Sequence, residues 1–228
     1  MTERGMIFNG DMVRAILDGR KTQTRRVMRV QPESNQLGLL LITDSTKRSD
    51  IGKYHWADSN ATGNHVRSKL FSCPFGAVGD QIWVREAFRV HSRATDVATL
   101  VYKASERNSW TEQTHRVPVA VCNKPATPVK WTPSLHMPRW ASRIVLEITD
   151  VRVERLNAIS EEDARAEGII DGGCLNCGEP EPCGCANPEP DATDAFAYLW
   201  QSIYGQESWN ANPWVWVIEF ERVEGAAA

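Results

Sequence analysis

The sequence predicts an α+β fold, a small β-barrel with helices over its ends. Three observations carry this expectation: apolar–polar alternation over residues 81–88, 143–156 and 213–223; only a few short amphipathic helices; and no internal repeat or heptad run. Met6-Ile7-Phe8 reads as a short strand leading into a helix that carries Met12, Val13, Ile16 and Leu17 on one face, with Gly19 placed to end it. Residues 31–70 are polar and weakly periodic, an insertion or flap with one short strand at 39–42. The Gly79-Asp80 turn then introduces the alternating strand of 81–88. Further strands are expected at 99–102 and 116–121, whereas Pro133 and Pro138 forbid a long helix over 130–140. In the run 143–156, Ile144, Leu146 and Ile148 share a face, and Val151 and Val153 follow a bend at Thr149-Asp150. Ser160 caps a helix whose first turn holds Glu161, Glu162 and Asp163. A later helix begins near Thr193 with a stripe of Phe196, Leu199, Trp200 and Ile203, and an alternating strand over 213–223 closes the chain.

The 228 residues can bury a good core as one elaborated domain, 1–228. A formal net charge of -3 excludes a polycationic nucleic-acid coat, so any such contact needs a local patch, and Arg20, Lys21, Arg25, Arg26 and Arg29 form the densest one. No apolar run approaches the ~20 residues of a membrane span. The amino terminus lacks a signal-peptide pattern, so a cytoplasmic protein with no membrane partner is expected. Of the nine tryptophans, Trp83, Trp214 and Trp216 lie in strand-like runs and read as core. Trp131 and Trp140 flank a proline-rich loop and suit either packing or base stacking.

The stretch Gly19-Arg20-Lys21-Thr22-Gln23-Thr24-Arg25-Arg26 concentrates chemistry: after the glycine come four cations and two hydroxyls in seven residues. Lys21 and Thr24 are spaced so that an amine can reach a hydroxyl, the minimal pairing of base and nucleophile. A lysine serves as base only when burial or nearby cations lower its pKa, and Arg20, Arg25 and Arg26 are at hand. The same residues also suit a phosphate-facing turn in which Thr24 caps backbone. His136 suits loop packing or catalysis, and Arg139, beside Trp140, either grips phosphate or forms an ion pair.

The segment from Ile16 to Arg25, the Gly79-Asp80 turn with its strand, and Val217-Ile218-Glu219-Phe220 together resemble the ASCH domain, a member of the PUA-like superfamily. The resemblance implies a small β-barrel with helices around it, associated with RNA and modified nucleosides. The small bacterial N4-acetylcytidine amidohydrolases belong to this group, and the whole chain looks most like the longer ASCH proteins of phages and prophages. In the amidohydrolases a lysine acts as base, a threonine as nucleophile and a glutamate from a later helix as proton donor. By motif position these match Lys21, Thr24 and Glu167, with Glu161 as fallback for the acid. Arg20, Arg25, Arg26, Trp131, His136 and Arg139 are the expected substrate contacts. The function implied is hydrolysis of the N4-acyl amide of acetylated cytidine or a related pyrimidine nucleoside. The alternative is a non-catalytic RNA- or DNA-binding module built on the basic turn. This chain is longer than the small enzymes, with insertions at about 31–78, 89–130 and 170–190, so fold transfers more safely than substrate.

Cys174, Cys177, Cys183 and Cys185 lie within twelve residues, among glycines that permit tight turns. Their spacing predicts a structural zinc site with all four ligands from protein, against disulfides or free thiols; catalysis needs no cofactor. Cys73 and Cys122 are isolated.

Overall fold

The computed structural model describes residues 1–58, 67–170 and 192–223. In chain order the elements are β1 (Glu3–Ile7), α1 (Gly10–Leu17), β2 (Gln23–Val27), β3 (Leu37–Leu41), β4 (Tyr54–Asp58), β5 (Gln81–Arg85), β6 (Phe88–Arg93) and β7 (Val97–Tyr102). They continue with α2 (Trp110–Gln113), β8 (Thr114–Pro118), β9 (Val145–Arg155), α3 (Glu161–Ala166), α4 (Ala192–Tyr204), α5 (Gln206–Asn210) and β10 (Trp214–Arg222). The architecture is mixed α+β, and no helix among the described residues is long and apolar enough to cross a membrane.

The central sheet has the order β1-β5-β9-β10-β2, with only β1 and β5 parallel. The expected closed barrel does not form. The remaining strands pair among themselves, β3 with β4 and β6 with β7 and β8, so among the described residues none is left to complete the cylinder. The edge strands β1 and β2 are joined by a side chain instead of a ladder: the Arg26 guanidinium donates to the Ile7 carbonyl at 3.0 Å. Within the expected strand of 81–88 the pairing changes hands, β5 ending at Arg85 in the central sheet and β6 starting at Phe88 in the three-stranded one.

Alternation along β10 sends its side chains to two cores. Trp216, Ile218 and Phe220 join Val13, Ile16, Ile82, Leu146 and Ile148 on one face, with Trp56 of β4 covering that core. Val215 and Val217 meet Leu156, Ala164, Phe196 and Trp200 on the other. Trp216 is buried as expected, whereas Trp83 and Trp214 are half-buried. A third core lies within the small sheet, around Phe88, Leu100 and Tyr102. In β9 the register against β10 shifts by one residue, Phe220 facing Ile148 while Glu219 faces Asp150, so Thr149 is the extra residue of a bulge at the expected bend.

Candidate active site

The site is assembled where the end of α1 meets the end of α3. α1 closes with Gly19 at φ 76, the left-handed conformation that glycine adopts freely. The chain then turns back, the Arg20 and Lys21 N–H groups both donating to the Ala15 carbonyl at 2.9 and 3.0 Å. On the other side Ser160 caps α3, its hydroxyl accepting from the Asp163 N–H at 3.2 Å. The two segments are stitched by the Thr22 N–H donating to the Ala166 carbonyl at 2.8 Å and by a single bridge between Lys21 and Glu167. Gly168 makes this approach possible. It sits at φ +91, and a Cβ there would lie 2.8 Å from the Ala15 Cβ and 3.1 Å from the Lys21 Cβ.

Lys21 and Glu167, 146 residues apart in sequence, form a buried ion pair. The ammonium Nζ donates to Glu167 Oε2 at 2.6 Å and to the Glu167 carbonyl at 2.9 Å, with the two side chains 0% and 4% exposed. Burial pushes the Lys21 pKa below the ordinary lysine value, against the pull of the Glu167 carboxylate, and Arg26 and Arg25 push the same way. This is the environment in which an amine can act as a base.

Around the pair runs a braced network on the α3 side of the central sheet. Arg25, itself enclosed, donates to Asp163 Oδ2 at 2.8 Å and Glu154 Oε2 at 3.1 Å, and its other terminal nitrogen stands 3.6 Å from Glu167 Oε1. Arg152 bonds Glu154, Asp163, Gln23 and Glu219. Burial alone would raise the Asp163 carboxyl, but the guanidinium groups of Arg25 and Arg152 outweigh it and hold the pKa below the ordinary value.

Next to the pair is a small cavity of about 20 Å³. Thr24, Arg25, Arg26 and Glu167 form its polar wall, and Phe196, Leu199, Trp200 and Ile203 of α4 its apolar one. Several buried polar atoms of the wall have no hydrogen-bond partner among the described residues: Glu167 Oε1, Arg25 Nε and Nη1, and Arg26 Nε. Arg25 Nη1 and Glu167 Oε1 face each other at 3.6 Å, whereas Arg25 Nε and Arg26 Nε are left to receive a water or a ligand atom. Arg26 completes the rim, its guanidinium 5.5 Å from the Phe8 ring and 3.3 Å from the Tyr204 hydroxyl.

Five of the residues expected from the sequence therefore come together: Lys21, Thr24, Arg25, Arg26 and Glu167. Arg20 is at the margin, tied to Asp18 and the Gly168 carbonyl. Trp131 and His136 line a separate groove on the small sheet, and Arg139 makes a bidentate pair with Glu3 at 2.9 Å for both contacts. Trp140 packs edge-on against Phe88. Glu161, the fallback acid, pairs with Arg165 on the outside of α3. The four clustered cysteines lie outside the described residues, among which no group of three or more acidic, histidine or cysteine side chains could hold a metal ion. Sequence reasoning missed Asp163 as a charge partner, together with Gln23, Arg152, Glu154 and Gly168. The available signal was in β9, where Arg152 and Glu154 alternate with Val151 and Val153.

Nothing among known family models, curated proteins or solved structures matches the chain.

Proposed function

We propose that the chain is an ASCH-type, PUA-like hydrolase that cleaves the N4-acyl amide of an acetylated cytidine or a related modified pyrimidine nucleoside. The observation that carries the reading is the buried Lys21–Glu167 pair, 2.6 Å between Nζ and Oε2, beside a cavity that Thr24 lines. Passing one proton across that contact turns an ammonium–carboxylate pair into a neutral amine and a carboxylic acid, the two forms the reaction needs. Burial, which disfavours charge, eases this transfer. The amine then takes the Thr24 hydroxyl proton as Oγ1 bonds to the acyl carbon, and Arg25 and Arg26 stabilise the oxyanion with their unpaired N–H groups. Glu167 protonates N4 as the C–N bond breaks, releasing cytidine. Water then cleaves the Thr24 ester, giving the carboxylic acid and restoring the hydroxyl.

The enclosed state of Lys21 and Arg25 favours this reading over a phosphate-facing turn, because a cation with no exposed side chain reaches no polymer backbone. A cavity of about 20 Å³ receives a water and not a nucleoside, so this reading requires α4 to move away from the pair before substrate enters. The central sheet, its edges drawn together by Arg26, suits an open barrel of the PUA-like kind.

The test is incubation with N4-acetylcytidine, following cytidine by chromatography, beside Lys21→Ala and Thr24→Val. Turnover lost in both variants while circular dichroism stays native is the expected result. Full activity of folded Lys21→Ala overturns the mechanism.

A further inference from the structure

A second site lies on the three-stranded sheet, built from none of the residues of the Lys21–Glu167 pocket. It is a groove of about 320 Å³ beside β6, lined by Trp131, Lys124, Lys130, His136 and the rings of Pro125 and Pro133. This is the lower end of the size range of small-ligand pockets. Its lining carries no carboxylate, on a chain whose net charge is -3. Two more cations flank it. The Arg89 guanidinium lies 4.6 Å from the Trp131 ring centroid, and Arg93 donates to the Lys124 carbonyl at 2.9 Å.

The groove is preformed. Its outer loop is pinned to β6 by the Thr127 N–H on the Val90 carbonyl at 2.8 Å and by paired backbone bonds between Phe88 and Thr132 at 2.7 and 3.1 Å. Arg89 is held by the Pro128 carbonyl, so the ring and its cation are oriented before any ligand arrives. Arg89 occupies one face of the indole, and the rest of the ring is only partly covered, next to Lys124 and Lys130. Nearby anions suit the lysines, and a flat ring suits the indole, with Pro125 and Pro133 in the same lining.

We propose that this groove binds single-stranded nucleic acid, with one base seated against Trp131 and the flanking phosphates on Lys124, Lys130 and Arg93. Stacking on an indole accepts any base, and the cations follow the backbone. For three phosphate contacts, raising salt fourfold weakens binding roughly 20-fold.

The experiment titrates fluorescein-labelled oligo-dT and oligo-rU with the full chain in low salt, following anisotropy. Binding of either strand that falls steeply with salt is expected. Lys124→Glu/Lys130→Glu, with circular dichroism confirming a native fold, should abolish it. Trp131→Ala should weaken it roughly 5- to 150-fold, with Trp131→Phe restoring most of the affinity. No anisotropy change for either strand overturns the proposal. So does unchanged binding in the double lysine variant, or equal competition by poly-glutamate, which would reduce the groove to simple cation attraction.

Discussion

Replacing Lys21 by methionine isolates the buried pair. The substitution keeps the length and apolar stem of the side chain but removes both of its hydrogen bonds, to Glu167 Oε2 at 2.6 Å and to the Glu167 carbonyl at 2.9 Å. It leaves a carboxylate only 4% exposed whose nearest remaining cation is Arg25, at 3.6 Å. Breaking a buried pair from one side costs about 3–5 kcal/mol, and the residual attraction of Arg25 puts this variant near the lower figure. In a chain of this size that is a melting temperature lower by roughly 6–12 °C. Lys21→Met/Glu167→Met removes the stranded charge and should recover a large part of the loss, so a double-mutant cycle in urea gives a coupling well above zero. The pH dependence has a definite sign. Because the Lys21 pKa is lowered in the folded state, the unfolded chain holds more protons between that value and the ordinary 10.5. Wild-type stability relative to Lys21→Met therefore rises as the pH climbs from the lowered folded value toward the ordinary 10.5. A loss below about 1 kcal/mol, or a gap that narrows with rising pH, refutes the description of Lys21 as a buried amine held by Glu167.

Asp163→Asn removes the negative charge between Arg25 and Arg152 and one of the two oxygens that accept from them, and should cost about 1.5–3 kcal/mol at neutral pH. Since the Asp163 pKa is held below 3.8 in the folded state, that cost should disappear as the pH falls through the folded value, read from urea midpoints across an acid series. A pH-independent difference would contradict the charge assignment. Gly168→Ala combines a φ of +91 with a contact of 2.8 Å to the Ala15 Cβ, and should lose about 1–3 kcal/mol and loosen the Lys21–Glu167 approach. A neutral melting temperature would mean that the turn is not strained against α1. In deacylation assays the rate should fall as the pH rises through the lowered Lys21 pKa, because the pair then loses the one proton that Glu167 hands to N4.

Periodicity located the elements that bury a clean face. α1 shows its stripe of Val13 and Ile16, α3 its serine cap, and β10 its alternation, and all three occur where expected. Pairing partners were not legible, because β5 and β6 read as one strand until Glu86 and Ala87 carry the chain from one sheet to the next. Trp56, 1% exposed, was missed because its surroundings lack any period. In the site, the basic turn stood out by composition and Glu167 by resemblance, but composition could not tell a solvated cation from an enclosed one. Arg25 was expected to touch substrate, and its strongest bonds are to Asp163 and Glu154. Arg152 and Glu154 read as the wet side of a strand, yet α3 covers that side and makes them part of the bracing.

The single extra residue in β9 sets the phase of everything that follows it. Before Thr149 the even-numbered residues Leu146 and Ile148 enter the inner core; after it the odd-numbered Val151 and Val153 do. Arg152 and Glu154 are thereby rotated outward onto α3, where Arg25 and Asp163 wait for them. Deleting exposed Thr149 removes almost no buried surface, but it would shift the downstream half of the strand by one residue, turning two charges into the apolar core and two valines toward Asp163. A side chain that touches little thus decides which face of the sheet carries charge.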